Sequence, residues 1–198
     1  TVNGIDVESA SNELTGVIEG LTLRLRRPTT GDVDVAVESD RTAIKAAIKS
    51  FADAYNELAR TIAEQTKYDP ASKVAGPLQG DSTVGGLQQQ MRAVLNAASG
   101  ASTVFPRLSD VGLALQRDGT LSVDEARIDS AMANLAELKK AFAHRDPDEP
   151  ANNGFAQRYA ELASRVLGVD GSLTTRAEGL RQRISLNGYR QDPLNERF

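Results

Sequence analysis

A chain of 198 residues with one histidine, His144, and no cysteine has few routes to chemistry. Thiol catalysis, disulfides and cysteine metal sites are excluded, and neither a histidine metal cluster nor a serine–histidine–aspartate triad can be assembled. His144 stands beside Arg145, Asp146 and Pro147 with no second ligand at metal spacing, and reads as a solvated loop histidine. Asp146, Asp148 and Glu149 raise calcium, but Pro147 and Pro150 interrupt the alternation and the glycine of an EF-hand loop is missing, so they read as a solvated turn. Gly80-Asp81-Ser82-Thr83 lacks the lysine of a phosphate loop and reads as a capped helix start. Arg176, Arg181 and Arg183 could meet nucleic acid, yet Glu178 interleaves, no aromatic platform accompanies them and the net charge is −4. They read as a solvated or intersubunit helix face. No catalytic, cofactor-binding or metal-ligating residue is assigned, and no cofactor is expected.

What remains is packing, and one stretch organises it. Between Asp40 and Thr66, Ile44, Ile48, Phe51, Tyr55, Leu58 and Ile62 recur at spacings of 4, 3, 4, 3, 4, which places them on one heptad-like seam of a helix. Asp40 stands at the N-cap position, and neither Gly nor Pro follows until Pro70, leaving room for about seven helical turns. Such a stripe is not stable in water and must find partner helices. Two more seams, Phe155, Tyr159, Leu162, Val166 and then Leu173, Ala177, Leu180, Ile184, are each spaced 4, 3, 4, and a bundle of these with the Asp40 helix is predicted. Val169-Asp170-Gly171 between them makes either a turn or a kink. Val84, Leu87, Met91, Val94 and Leu95 keep helical spacing behind a cap at Asp81 or Ser82, with Gly85 and Gly86 leaving the first turn frayed or packed closely on another backbone. Ile128, Met132, Leu135, Leu138 and Phe142 do the same after Asp124.

Strands are short and few. Ile5, Val7 and Ser9 alternate with Asp6 and Glu8; Leu21, Leu23 and Leu25 alternate with Thr22, Arg24 and Arg26; Val33, Val35 and Val37 follow beyond Pro28-Thr29-Thr30-Gly31-Asp32. The segment from Leu21 to Val37 is therefore predicted to be an antiparallel pair with one solvated face. Such a unit is too small to stand alone, and together with an opening at Thr1 it reads as part of a longer protein. Val111 to Val123, turning on Asp118-Gly119, reads as a β-hairpin. The fold class is thus α+β, mainly α: a helical bundle or coiled-coil-like domain with a β-hairpin, preceded by a small antiparallel β segment. Hydrophobic content of 40% with 25% charge fits a packed globular chain, the 5% aromatic content favours helix packing over a ligand pocket, and no apolar run is long enough to span a bilayer. The expected divisions are 1–39 (β-rich), 40–184 (helical, with the hairpin at about 111–123) and 185–198, a tail set off by the helix breakers Gly188 and Pro193.

Several blocks, in order, resemble a known family. Asn3-Gly4, Ser11-Asn12 and Ile18-Glu19-Gly20-Leu21-Thr22-Leu23 are followed by Phe51-Ala52-Asp53-Ala54-Tyr55-Asn56-Glu57-Leu58. Gly76-Pro77-Leu78 with Gly80-Asp81-Ser82, then Val111-Gly112, Asp118-Gly119-Thr120-Leu121 and the Asp124 helix complete the pattern, from about residue 2 to 184. The chain resembles flagellar hook-associated protein 2, the filament cap (FliD) family, in its C-terminal half. The resemblance implies an extracellular protein of the bacterial flagellum that forms a ring-like homo-oligomer at the filament tip and holds arriving flagellin while it folds and inserts. It implies residues 1–39 returning from a distal head domain and a helical domain facing the filament, with the hook-filament junction protein, an export chaperone and, in adhesion, host surface ligands as further partners, and neither nucleic-acid binding nor membrane insertion. On this reading Ile48, Phe51, Tyr55, Asn56, Leu162, Val166, Leu173, Leu180 and Ile184 carry packing and assembly. Another axial protein of the flagellin or junction type, or an enzyme whose active site lies in upstream sequence, would be the alternatives.

Overall fold

A computed structural model describes the chain apart from residues 1, 3, 5, 19–20, 35–38 and 196–198. It separates into two units, Thr1–Ser39 and Asp40–Phe198.

In the first unit, β1 (Glu13–Ile18) pairs antiparallel with β2 (Leu21–Arg24), with Leu14 opposite Leu23. The Leu21 alternation thus finds its partner upstream, and the predicted pairing of Leu21–Leu25 with the valine run does not form among the described residues. Only two residues separate β1 from β2, so closing that hairpin costs little chain entropy, whereas Pro28 removes a donor from the longer connection. Leu25 and Val33 are exposed. Asp6 to Ser9 are not strand, while Ile5, Val35 and Val37 lie outside the described residues.

The second unit opens with α1 (Arg41–Thr66), capped as predicted: the Asp40 carboxylate accepts the Ala43 N–H at 2.9 Å. Its buried residues are Ile48, Ala52, Tyr55, Asn56 and Ile62, with Ile44, Phe51 and Ala59 partly covered, while Leu58 is 45% exposed. The buried face therefore follows the natural period of a straight helix and not a heptad seam. An unsupercoiled helix drifts about 20° per heptad, enough to carry Leu58 off the core. A two-residue arm on each side, β3 (Tyr68–Asp69) and β4 (Val74–Ala75), then leads to α2 (Ser82–Asn96), capped by Asp81. Gly85 and Gly86 sit inside α2 with nothing near an added Cβ, so neither fraying nor close packing accounts for them.

After a single 3-10 turn (Leu108–Val111) come β5 (Leu113–Leu115) and β6 (Leu121–Val123), in the register Leu113–Val123, Ala114–Ser122, Leu115–Leu121. This is the expected hairpin. Gly112 (φ +92°) ends the 3-10 turn where a Cβ would lie 2.6 Å from the Asp124 carbonyl, and Gly119 (φ +88°) supplies the left-handed residue of the hairpin turn. Asp124 caps α3 (Glu125–Ala131). The helical run predicted through Phe142 breaks at a 3-10 turn, Met132–Asn134, because Asn134 offers its side chain to the Glu137 N–H and starts α4 (Leu135–Ala143) afresh. Helix α5 (Phe155–Leu167) follows, then a turn through Gly168 to Gly171, then α6 (Ser172–Asn195).

Two further expectations are corrected. Helix α6 packs chiefly on α5 and α2, so the Asp40 helix does not share one seam with both later helices; it reaches α4 and α5 through aromatic rings, α3 through ion pairs, and lies mainly on the hairpin and α2. Nor does α6 break at Gly188 or Pro193. A glycine costs only about 1 kcal/mol in a helix, so Gly188 is carried within it, and Pro193 stands in the last described turn. These placements give a direct check on α1. Ile62→Ala should cost about 2–5 kcal/mol in chemical denaturation, whereas Leu58→Ala should stay within about 0.5 kcal/mol. Equal losses would restore the heptad seam.

Candidate functional site

A buried polar pair lies where α1 meets the hairpin. Asn56 is buried, and a buried amide must have its donor and acceptor satisfied. The Leu121 N–H donates to Asn56 Oδ1 at 2.6 Å, and Asn56 Nδ2 donates back to the Leu121 carbonyl at 2.9 Å. Leu121 pairs with Leu115 in the alternate register whose backbone groups point away from the partner strand, because the hydrogen-bonded positions are Asp124 to Gly112 and Gln116 to Thr120. The Asn56 side chain thus takes the place of a third strand. One residue earlier, the Tyr55 hydroxyl donates to the Gly119 carbonyl at 2.9 Å and fixes the hairpin turn.

The other face of α1 enters an aromatic cluster. Phe51 meets Phe142 and Tyr159 edge-on at 5.9 and 5.6 Å, Tyr55 meets Tyr159 at 5.9 Å, and Phe142 meets Phe155 at 6.5 Å. The Tyr159 hydroxyl donates to the Met91 carbonyl at 2.6 Å, tying α5 to α2. Burial pushes the Tyr159 phenol well above the ordinary tyrosine range and raises Tyr55 in the same direction, so both stay neutral donors. Helix α3 is pinned back on α1 by Lys45, at 2.9 Å from Asp129 and 3.1 Å from Glu125, and by Lys49, at 2.6 Å from Glu125. The bond from Lys49 is the leading cause that holds the Glu125 carboxyl below its usual range.

Of the residues assigned to packing and assembly, Ile48, Tyr55, Asn56, Leu162 and Val166 are buried in this core, and Phe51 and Leu173 are partly covered by it. Leu180 and Ile184 are not: they are 39% and 72% exposed. Sequence reasoning missed the two partners of the Tyr55-Asn56 pair, Gly119 and Leu121, although an asparagine inside an apolar helical face is itself the signal that a buried backbone group lies opposite. It also left Asp146 as a solvated turn. The structure uses that carboxylate as a loop organiser, accepting from Asn152 Nδ2 and from the N–H groups of Asp148 and Glu149, each at 3.0 Å; the Asn152 bond is the first cause of its lowered pKa. Beside Tyr55, Gln88, Met91 and Gly119 lies a small cavity of about 30 Å³. Among the described residues no group of three or more His, Cys, Asp or Glu is placed to hold a metal ion, and no helix is long and apolar enough to cross a membrane.

A closed helical core that grips a hairpin and carries a long helix with apolar residues left uncovered defines a structural packing domain. The chain belongs to the family described as flagellar hook-associated protein 2 C-terminus, whose profile matches residues 1–198. It is 39% identical over 179 residues to the flagellar hook-associated protein 2 of Salmonella typhimurium, covering 86% of this chain and 37% of that protein. The corresponding protein of Xenorhabdus nematophila is 31% identical over 208 residues, covering 93% of this chain and 42% of its own length. Among solved structures, that of the flagellar cap protein FliD D1-D2-D3 domains from Escherichia coli superposes with a TM-score of 0.71 at 27% identity, over 87% of this chain and 46% of that one. The chain therefore spans less than half the length of these relatives. The resemblance read from the blocks around Tyr55-Asn56, Gly80-Asp81-Ser82 and Asp118-Gly119 is met by this match.

The Asn56 bridge generates a graded prediction. Asn56→Ala leaves two buried backbone groups of Leu121 without partners and should cost about 2–6 kcal/mol, at roughly 1–3 for each orphaned group. Tyr55→Phe removes one bond while keeping the ring, and should cost about 1 kcal/mol. Urea unfolding measures both; an Asn56→Ala variant as stable as the parent would mean the bridge does not hold the hairpin.

Proposed function

We propose that this chain is the filament-facing part of a flagellar filament cap, working outside the cell at the filament tip as one member of a ring-like homo-oligomer. Its task is mechanical: to present rigid helical surfaces against which arriving flagellin folds and inserts. The observation that carries this reading is the contrast along α6. Its base is held to the core by Leu173, while Leu180, Ile184, Leu186 and Tyr189 stand exposed in a family that includes the flagellar cap protein of Escherichia coli. At 100° per residue, Leu180 and Ile184 prolong the stripe of Leu173 and Ala177, whereas Leu186 and Tyr189 face another side. Full burial of a large apolar side chain contributes about 1.5–3 kcal/mol, so a neighbouring helix laid on the Leu180–Ile184 face recovers part of what association costs.

This reading requires packing and not turnover, in keeping with a site built from satisfied hydrogen bonds and apolar contacts. It also separates stability from assembly. Because Leu180 is 39% exposed, Leu180→Asp should cost no more than about 1–2 kcal/mol of unfolding free energy, from the lower helix propensity of aspartate and the partial loss of apolar cover. In full-length protein supplied to a cap-deficient strain, the same substitution should abolish filament growth, since a carboxylate in an apolar contact forces desolvation or separation. Wild-type motility with Leu180→Asp would remove the assembly role from this face.

A further inference from the structure

Helix α6 is anchored by little apolar surface for its 24 residues. Leu173 and Ala177 are half-buried, and from Leu180 to Tyr189 every side chain is exposed. Between the first turns of α6 and the start of α2 lies an open groove lined by Thr83, Ser172, Thr175, Arg176, Gly179 and Arg183. Helix packing across that groove is therefore incomplete, and its walls are joined by a polar contact.

That contact is Asp81, whose two carboxylate oxygens have separate tasks. Oδ1 accepts the N–H groups of Thr83 and Val84 at 2.9 and 3.2 Å, capping α2. Oδ2 accepts Arg176 Nε and Nη2 at 3.1 and 2.8 Å. The Asp81 side chain is only 9% exposed and Arg176 is 42% exposed, so the pair is screened less than a surface ion pair. Two donors from one planar guanidinium fix direction as well as distance. Behind α6, the turn through Gly168 to Gly171 is tight: a Cβ at Gly171 would lie 2.2 Å from the Val166 carbonyl. The helix thus leaves α5 through a turn of few residues and is steered by one ion pair.

We propose that Asp81 and Arg176 form an orientation latch: closed, it fixes the angle at which α6 leaves the core, and open, it lets α6 pivot about the Gly168–Gly171 turn. One carboxylate then couples the start of α2 to the presentation of α6. This inference does not rest on the cap reading, since it concerns the chain by itself.

The absence of cysteine makes the test clean. Spin labels on Gln90→Cys in α2 and Gln182→Cys in α6, both exposed positions, report the angle between the helices as a distance distribution. The latch predicts a single narrow distribution in the otherwise unaltered chain and at least a twofold broader one with Arg176→Gln, which leaves the Oδ1 cap of α2 in place. Arg181→Gln, an exposed arginine on the same helix, should leave the width unchanged. Equal widths with and without Arg176→Gln would overturn the proposal, as would equal broadening by Arg181→Gln.

Discussion

The domain depends on one exchange of hydrogen bonds between a side chain and a strand. A three-residue strand with a single partner cannot hold itself in water, and its outward N–H and C=O groups need partners once buried. A buried asparagine has the reciprocal problem. Asn56 and Leu121 solve both at once, at 2.6 and 2.9 Å. With β6 fixed, Asp124 immediately after it is in position to cap α3, and α3 returns to α1 through the Lys45 and Lys49 ion pairs. Helix, hairpin and helix therefore form a closed circuit around a shared core, in which Ala52, Val111 and Ile128 lose all access to solvent.

The same circuit shows which parts of the fold were legible beforehand. The caps at Asp40 and Asp124, the choice of Asp81 or Ser82 before α2 and the turn at Asp118-Gly119 were readable because each is a local device, decided by residues within a few positions of one another. The α1 stripe was readable as a helix but not in its true phase, since a heptad template and a 3.6-residue period differ little over two turns and diverge by the fourth. Leu58 marks where they part. The pairing of β2 with β1 was missed because Glu13–Ile18, with Thr15 and Gly16, has weak alternation, and backbone hydrogen bonding over a short connection outweighed the clearer valine pattern. Tyr55 and Asn56 were picked out as a family block. Their partners were not, because Gly119 and Leu121 act through main-chain atoms that leave no trace in residue type.

Helix α6 follows from that closed core. A core complete without α6 leaves the helix free to carry apolar residues outward without destabilising the fold. In the cap we propose, that division of labour is useful: the domain folds through α1, the hairpin and the aromatic cluster, and leaves Leu180 and Ile184 exposed. Leu180 and Ile184 are spaced as Leu162 and Val166 are and are equally apolar, so periodicity alone could not separate the internal stripe from the external one. Three-dimensional closure does.

Native-state hydrogen exchange at the Leu121 amide tests the central claim most directly. Its acceptor is a side chain on a different element, so it exchanges only when α1 and the hairpin separate. The account predicts that Leu121 is protected to the same degree as the Ala52 amide at the centre of α1, and that both exchange through one cooperative opening. Exchange at Leu121 as fast as at Arg117 in the exposed hairpin turn, with Ala52 still protected, would show that the hairpin opens alone and that Asn56 does not hold the domain together.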